Sequence, residues 1–402
     1  MNKLKKFKTW CLFDFGLSSY PTLILTFFFG AYYVKVIAID EVSGSADWGL
    51  SISISSFICV IVFTLFLKVK KRLGLTVKSR NFLIPFLLLI SCTSFLYLFN
   101  DSRFIYLPLL FVVVSFVAFE VLNLFYNISL TKITSRKNIG FVSNIGWSVG
   151  YLGGLLSLFI VWCLIRLSEN ESSIIYSENI FVFIGPFVGF WTLLFCTPHF
   201  LSFKNINFKI PANFSILKII KTKRIRSFIF AYFLYNNAVI CIFAFASLFA
   251  SILFNFSENE ILLLGIFINL AGIIGCLFFA KFEDNIGSRK TICICIISLT
   301  ILTFLLLFIK TKLFFWSLAL FIGFFIGPIQ ASSRSYLSKS IGEKDVLSIF
   351  TFYSVLGNSC SIIGPFFISI LIGLTNSIKV GLSLIPLYLF LSLMILYKKT
   401  SV

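Results

Sequence analysis

The sequence predicts an all-α membrane protein with twelve transmembrane helices. Of its 402 residues, 59% are hydrophobic and only 12% are charged, whereas a soluble domain averages about 25% charged residues. The apolar residues form twelve stretches close to the roughly 20 residues that span a bilayer as a helix. Basic residues concentrate in alternate loops between them. Together these observations exclude a single water-soluble core.

The twelve stretches are numbered here segment 1 to segment 12. They are predicted near residues 10–38, 46–67, 81–99, 104–127, 141–165, 179–200, 227–254, 259–280, 291–309, 313–337, 348–373 and 378–397. The longest connection, 201–226, follows segment 6. It divides the chain into an N-terminal six-helix bundle (1–200), a basic cytoplasmic linker (201–226) and a C-terminal six-helix bundle (227–402). Two six-helix halves are typical of a transporter built from pseudo-symmetric bundles.

Charge predicts the orientation of the segments. With the N-terminus in the cytoplasm, 28 of the 34 Lys and Arg residues fall on the cytoplasmic side. Five fall outside, namely Arg103, Arg166, Lys310, Lys312 and Lys379. This asymmetry predicts both termini in the cytoplasm, and the plasma (inner) membrane if the protein is bacterial. We call the predicted cytoplasmic ends of the segments inner and the opposite ends outer; Lys310 and Lys312 depart from the pattern.

The net charge of +19 has the same explanation, so we expect no nucleic-acid partner. In the linker, Phe214, Ile216 and Leu217 are interleaved with Lys218 and Lys221. This pattern resembles an amphipathic helix on an anionic leaflet, where each basic residue contributes on the order of 1 kcal/mol. Anionic lipid headgroups are therefore predicted partners of the loop. A merely basic linker is an equal alternative.

Two carboxyl groups are predicted inside the membrane. A charge there costs at least roughly 2.5 kcal/mol, so its presence suggests a function. We place thirteen of the fifteen acidic residues in loops or at helix ends, and only Asp14 in segment 1 and Glu120 in segment 4 at membrane depth. Glu120, Asn123 and Asn127 recur at i, i+3 and i+7, which places them on one helix face.

Segments 1, 7 and 10 carry similar polar stripes. Their members are Asp14, Ser18, Pro21 and Thr22; Tyr232, Tyr235, Asn236 and Asn237; and Gly323, Gly327, Gln330 and Arg334. Structural explanations stay open. Asp14 could pair with Arg334 and only close the inner side, Glu120 could be permanently protonated, and the asparagines could be interhelical hydrogen-bonding groups.

Enzyme chemistry is not predicted. The ten cysteines fall mostly in apolar runs and lack zinc-ligand or disulfide spacing. The chain has no nucleotide-binding loop GxxxxGK[ST], no nucleophile–base constellation and no metal cluster. We therefore expect a protein without a cofactor or a metal.

Five stretches carry a family resemblance. They are WCLFDFGLSSYPTLILTFFFGAYY from Trp10, YNISLTKITSRKNIGFVSNIGWSVGYLGG from Tyr126, AYFLYNNAV from Ala231, GPIQASSRSYLSKSI from Gly327, and FYSVLGNSCSIIGP ending at Pro365. As a set they are similar to the autophagy-related vacuolar amino-acid exporter family and its bacterial relatives, a branch of the major facilitator superfamily. GCLFFAKFEDNIGSRK from Gly275 also resembles that superfamily's loop signature, whose charged residues brace neighbouring helix ends.

The resemblance implies the major facilitator fold, alternating access, and a central cavity lined by segments 1, 4, 7 and 10. Asn237 stands where the family commonly has Asp, and the first-half loop 68–80 lacks any acid. The stripes and the resemblance together predict substrate-binding residues Asn123, Tyr126, Asn127, Tyr235, Asn236, Asn237, Gln330 and Tyr353. They predict Asp14, Glu120 and Arg334 as proton-coupling or gating residues, with Arg334 paired to Asp14.

The sequence thus predicts a secondary active transporter of a small polar metabolite, and the resemblance implies amino acids. Glu120 or Asp14 would handle a coupled proton. A non-transporting scaffold or sensor that kept the fold is the alternative, favoured by Asn237 and the acid-free loop. A lipid flippase would require a more apolar cavity, so the acids and asparagines of the stripes count against that function. The expected oligomeric state is a monomer.

Overall fold

The computed structural model describes residues 3–73, 76–98, 104–170, 174–204, 206–209 and 222–397. Segments 1 to 6 are Lys3–Ile37, Glu41–Leu73, Ser79–Phe95, Tyr106–Ile133, Ile139–Asn170 and Ile174–Phe203. Segments 7 to 12 are Lys223–Phe254, Glu258–Ile286, Ser288–Leu306, Lys312–Ser340, Val346–Thr375 and Ile378–Tyr397. Two short strands, β1 (Thr76–Lys78) and β2 (Asn207–Lys209), pair in a two-stranded sheet.

The all-α membrane fold predicted from hydropathy is confirmed. In the part of the chain that the structure describes, eleven helices are long and apolar enough to cross a membrane, and segment 3 is a shorter apolar helix. Several helices extend past their predicted ends, because hydropathy marks the apolar core of a helix and not its polar termini. The amphipathic helix predicted in the linker falls largely on 210–221, outside the described residues.

Segment 1 changes helical geometry along its length. An α-helix over Lys3–Leu17 gives way to π-helical turns at Tyr20–Phe27 and Tyr33–Ile37. Pro21 at the start of the first π turn has no amide hydrogen to donate, which disrupts the regular α-helical ladder. The carbonyl of Pro21 instead accepts a hydrogen bond from Thr26 Oγ1 at 2.9 Å.

The chain folds into two compact units. The first unit contains Met1–Val62, Thr76–Ser129 and Val149–Phe208, and the second contains Phe63–Leu75, Leu130–Ser148 and Lys209–Val402. The connection between segments 4 and 5 and the first turns of segment 5 thus belong to the second unit. The bundle boundaries proposed from the sequence stay a prediction.

In the first unit, segment 1 packs closely on segments 5 and 6. A Cβ built on Gly153 would lie 2.1 Å from the carbonyl oxygen of Phe15, and one on Gly16 would lie 2.8 Å from Cβ of Phe195. These glycines therefore let the helix backbones approach each other.

At the start of segment 2, the exposed Asp40 accepts hydrogen bonds from the Ser43 amide and hydroxyl and from the Val42 amide. These hydrogen bonds lower the pKa of the Asp40 carboxyl.

In the second unit, segments 8 and 10 make the closest helix contact. A Cβ on Gly275 would lie 1.9 Å from the carbonyl oxygen of Phe324, and one on Gly323 would lie 2.7 Å from that of Ile268. Such contacts leave room only for hydrogen on the glycine Cα atoms. The backbone of segment 10, with its predicted polar stripe, is thereby held against segment 8.

Candidate functional site

The second unit joins polar residues of segments 7 and 10 inside the helical core. The Tyr235 hydroxyl shares a 2.6 Å hydrogen bond with Ser333 Oγ. Gln330 Nε2 donates to Asn236 Oδ1 at 2.9 Å. Tyr235 and Asn236 are buried, whereas Gln330 is half-buried. Three members of the predicted stripes, Tyr235, Asn236 and Gln330, therefore take part in hydrogen bonds between the two segments.

Segment 11 contributes the aromatic ring of Tyr353 next to these residues. The ring of Tyr353 stacks on that of Tyr232 with centroids 4.1 Å apart, and Tyr232 meets Tyr235 edge-on at 5.5 Å. A Cβ on Gly357 would lie 3.3 Å from the Tyr232 hydroxyl. We call Tyr235, Asn236, Gln330, Ser333 and Tyr353 the membrane polar cluster. Its amide and hydroxyl groups are of the kind that hydrogen-bond a small polar ligand.

Asn237 occupies a different environment from its neighbour Asn236. Its Nδ2 donates to the Phe233 carbonyl at 2.6 Å and to Cys360 Sγ at 3.2 Å. Its Oδ1 is buried and finds no donor among the described residues, lying beside Gly364. The contacts of Asn237 thus join segments 7 and 11, and its predicted substrate role stays a prediction.

In the first unit, the side chain of Asp14 lies against a glycine of segment 5. A Cβ on Gly150 would approach Asp14 Oδ2 to 2.7 Å and Ser18 Oγ to 3.1 Å. One turn further, Gly154 faces Thr22 Oγ1 in the same way. The stripe predicted on segment 1 therefore continues through Thr22 despite the π turn, and it is the face that meets segment 5.

Glu120 lies on segment 4 near a hydrogen-bonded pair. The Tyr20 hydroxyl shares a 2.8 Å hydrogen bond with Ser115 Oγ, and Glu120 interacts electrostatically with Tyr20 and with Cys59. Glu120, Asn123 and Asn127 are all half-buried on one continuous helix, as their spacing predicts. This face therefore combines a carboxyl group with two amides.

Tyr126 is placed in an aromatic stack. Its ring lies on that of Trp10 with centroids 4.3 Å apart, and Trp10 Nε1 donates to the Tyr126 carbonyl at 2.9 Å. The side chain of Tyr126 is 2% exposed. These contacts join segments 1 and 4, and the substrate role predicted for Tyr126 stays a prediction.

A fully buried carboxyl group, that of Glu283, lies at the inner end of segment 8. The sequence predicts Glu283 among the acids in loops or at helix ends, with segment 8 ending near residue 280; the helix continues to Ile286, and the burial of Glu283 was not predicted. Its Oε2 accepts from Asn144 Nδ2 at 2.5 Å and from Ser332 Oγ at 2.8 Å. Its Oε1 accepts from Ser335 Oγ. A carboxylate that accepts three hydrogen bonds tolerates burial far better than an isolated one.

Asp284, the next residue, caps the start of segment 5. Its two oxygens accept from the backbone amides of Gly140 at 2.9 Å and Phe141 at 2.8 Å. Lys339 Nζ approaches Oδ1 at 2.8 Å. The bracing of a neighbouring helix end, which the loop resemblance implies, is therefore present in the second unit. We call Asn144, Glu283, Asp284, Ser332, Ser335 and Lys339 the inner-end cluster.

Arg334 lies beside this cluster and is 2% exposed. Its Nε donates to Ser143 Oγ at 3.0 Å and its Nη2 donates to the Ser143 carbonyl at 2.8 Å. Ser143 Oγ in turn donates to the Ala331 carbonyl at 2.7 Å. The predicted pairing of Arg334 with Asp14 stays a prediction.

Sequence reasoning did not single out Ser143, Asn144, Ser332 or Ser335. Each is a small polar residue within a predicted transmembrane segment, and such residues are usually packing positions. One signal was available, since Ser332, Ser333 and Ser335 surround Arg334 on segment 10. A basic residue within a run of serines indicates a hydrogen-bonded buried site more strongly than a basic residue alone.

A family model described as "Vacuole effluxer Atg22 like" matches residues 50–399 of the chain. The chain belongs to this family. The Atg22-like assignment confirms the resemblance inferred from the sequence motifs. All residues of the membrane polar cluster and of the inner-end cluster lie within the matched region.

Relatives with curated descriptions agree with the Atg22-like family. An uncharacterized MFS-type transporter, YxiO of Bacillus subtilis (strain 168), is 27% identical over 390 residues, which cover 92% of this chain and 89% of that protein. Autophagy-related protein 22-2 of Sclerotinia sclerotiorum is 22% identical over 297 residues, which cover 63% of this chain and 42% of that protein. The protein is thus a transporter-family member.

Solved structures show the fold. A bacterial homologue of the iron transporter ferroportin, in an outward-facing state, superposes with a TM-score of 0.73 at 13% identity, with all of both chains covered. The proton:xylose symporter XylE superposes with a TM-score of 0.71 at 10% identity, with 99% of this chain and 94% of that chain covered. The Atg22-like chain therefore has the major facilitator fold.

Proposed function

We propose that this Atg22-like protein is a secondary active transporter that moves small polar metabolites of the amino-acid class by alternating access, with a proton as the coupling ion. Membership of a transporter family supports secondary transport. The substrate class follows from the family resemblance and from the chemistry of the polar residues. The membrane location we propose is the plasma membrane, with both termini and the 201–226 loop on the cytoplasmic side.

The observation that carries the proposal is the membrane polar cluster. Two side chain–side chain hydrogen bonds, Tyr235 to Ser333 and Gln330 to Asn236, join two transmembrane helices. Polar groups in transmembrane helices are expensive and commonly mark a substrate or ion path. Amide and hydroxyl groups can bind the ammonium and carboxylate of an amino acid without titrating themselves.

The coupling role is assigned to Glu120 or Asp14. Both are half-buried carboxyl groups in transmembrane helices of the first unit. A carboxyl group can carry one proton across the membrane when its surroundings change between two states. Asn123 and Asn127 on the same face as Glu120 would bind substrate, and Arg334 would act as a gating residue.

The test is uptake by purified protein in proteoliposomes. A library of labelled amino acids, with sugars and nucleosides as other classes, is offered under an imposed pH gradient and again without one. We expect one or more amino acids to accumulate only under the gradient. Gln330→Ala should weaken apparent affinity for the accumulated compound about fivefold, since one hydrogen bond is worth on the order of 1 kcal/mol.

Ser359→Ala is the matched control for Gln330→Ala. Ser359 is half-buried on segment 11 and donates to the Val355 carbonyl of its own helix, so its removal should leave uptake unchanged. If no compound accumulates or exchanges while the protein remains folded, the scaffold or sensor function replaces the proposal. Accumulation of a sugar instead would reject the amino-acid class alone.

A further inference from the structure

The second unit contains a cavity that the proposed transport function does not use. The cavity lies in the outer half of the bundle, between segments 7, 8, 9, 10 and 12. Together with its open mouth it encloses about 670 Å³. Phe249, Leu264, Leu307, Phe315, Ile322 and Leu382 are among the side chains that line it.

The described residues that line this cavity are almost entirely apolar. Thr303 is the one among them with a hydroxyl, and its Oγ1 donates to the Leu299 carbonyl of its own helix at 2.7 Å. The remaining lining side chains are aliphatic or aromatic apart from the Cys241 thiol. Water is poorly held in a cavity of this kind, because it needs two to four polar partners. The part of a ligand that lies inside the cavity must therefore be apolar.

Two exposed lysines lie close in sequence to residues that line the cavity. Lys310 is exposed three residues after the lining residue Leu307, and Lys379 is exposed three residues before the lining residue Leu382. With Lys312, they account for three of the five basic residues predicted on the outer side of the whole chain. Inner loops hold most of the basic charge, so this outer cluster departs from the general pattern.

One of the three lysines already has a protein partner. Lys312 Nζ lies 2.5 Å from Glu260 Oε1 and over the Phe256 ring at 4.7 Å. That pair compensates the Glu260 charge. The charges of Lys310, in the connection before segment 10, and of Lys379, at the start of segment 12, therefore remain near the lining residues Leu307 and Leu382 in sequence. Basic residues near an apolar cavity complement a ligand that has an anionic group and an apolar chain.

We propose that the cavity binds an acyl chain of an anionic phospholipid from the outer leaflet, whose headgroup phosphate lies between Lys310 and Lys379. The acyl chain packs on the apolar lining. Each lysine near the membrane surface contributes about a fivefold increase in affinity, which corresponds to roughly 1 kcal/mol. The bound lipid would stabilise the outer half of the second unit, independently of which metabolite is transported.

The experiment counts lipids on the intact protein by native mass spectrometry. Protein depleted of lipid is titrated with phosphatidylglycerol, with phosphatidylcholine of the same chains, and with free oleate. We expect one phosphatidylglycerol to bind about 25-fold more tightly than phosphatidylcholine, since each of the two lysines contributes about fivefold. Lys310→Gln combined with Lys379→Gln should remove that preference, because both lysines are exposed and their replacement leaves the core intact.

Lys281→Gln combined with Lys290→Gln is the charge-matched control, because both residues are exposed at the inner end of the same unit. Ala319→Phe should fill the cavity and abolish the tight site for both phospholipids, whereas Leu277→Phe on the exposed face of segment 8 should not. The proposal is overturned if the lysine pair can be replaced without loss of the preference. Tighter binding of oleate than of phosphatidylglycerol would also overturn it.

Discussion

Asp284 caps segment 5 through the backbone amide of Gly140, at 2.9 Å, although 143 residues separate the two in the chain. The first amides of a helix have no partner within the helix, and a negative charge there also interacts favourably with the helix dipole. Gly140 makes this approach possible, since a Cβ at its position would lie 2.6 Å from Asp284 Oδ1. The contact between segments 5 and 8 at this point therefore requires glycine at position 140.

Gly140→Ala should lower the stability of the protein by about 1–2 kcal/mol, because the added methyl group displaces the Asp284 cap. The measurement is the apparent melting temperature of the purified protein in detergent. Gly373→Ala is the control, since nothing lies within 4 Å of a Cβ built there. That control should be neutral or slightly stabilising, because Ala favours a helix by up to about 1 kcal/mol over Gly. Equal melting temperatures for the two variants would contradict the capping role.

Gly275→Ala should be more damaging than Gly140→Ala. A Cβ at Gly275 would lie 1.9 Å from the Phe324 carbonyl oxygen. That oxygen belongs to the backbone of a packed helix, so it cannot move aside as a flexible side chain could. Segments 8 and 10 must then move apart, which costs typically about 1–3 kcal/mol for overpacking. We expect a lower yield of monodisperse protein and a lower melting temperature than for Gly373→Ala. A yield equal to wild type would show that the two helices separate freely.

Glu283→Ala should destabilise the protein by about 1–3 kcal/mol, because Asn144 and the serines lose their shared acceptor. Glu283→Gln should be milder, since one carbonyl oxygen is kept. Glu343→Ala is the surface control: Glu343 pairs with Lys132 at 3.2 Å but is 76% exposed, and such pairs contribute about 0–1 kcal/mol. Thermal unfolding in detergent ranks the three variants. A Glu283→Ala protein as stable as Glu343→Ala would reject the buried-acceptor role.

Glu120→Gln should abolish accumulation driven by a pH gradient while exchange of substrate across the membrane continues. The amide keeps the shape of the side chain but cannot release a proton, so only coupling is lost. Asn127→Ala should instead weaken substrate binding in both assays by about tenfold, the effect of one or two hydrogen bonds. Proteoliposome uptake and counterflow separate the two effects. If Glu120→Gln accumulates substrate like wild type, Asp14 is the next carboxyl group to replace.

The predicted topology can be tested by labelling cysteines. Lys204→Cys should react with a membrane-impermeant maleimide only after the cells are opened, whereas Thr375→Cys should react in intact cells. Both positions are exposed, and the native cysteines are buried or half-buried, so background labelling should be low. The expectation rests on the 28 of 34 basic residues predicted on the cytoplasmic side. The reverse labelling pattern would invert the whole topology.

Local patterns were sufficient for the architecture and for part of the candidate site. Hydropathy is a property of about 20 consecutive residues, so it located the apolar core of every segment from sequence alone. The i, i+3, i+7 spacing of Glu120, Asn123 and Asn127 needed only a continuous helix, which segment 4 provides. The motifs around Tyr235 and Gln330 likewise pointed to the residues that form the membrane polar cluster.

The tertiary structure alone decided which distant groups meet. Glu283 has the local sequence of a loop acid, and its burial depends on Asn144 and Ser332, which other segments bring to it. Tyr126 carries a family motif, yet its ring packs on Trp10 because segments 1 and 4 meet at that point. Hydropathy and periodicity describe each helix separately, whereas hydrogen-bond partners and cavities depend on how close two backbones come. In this protein that distance is set by single glycines such as Gly140 and Gly275.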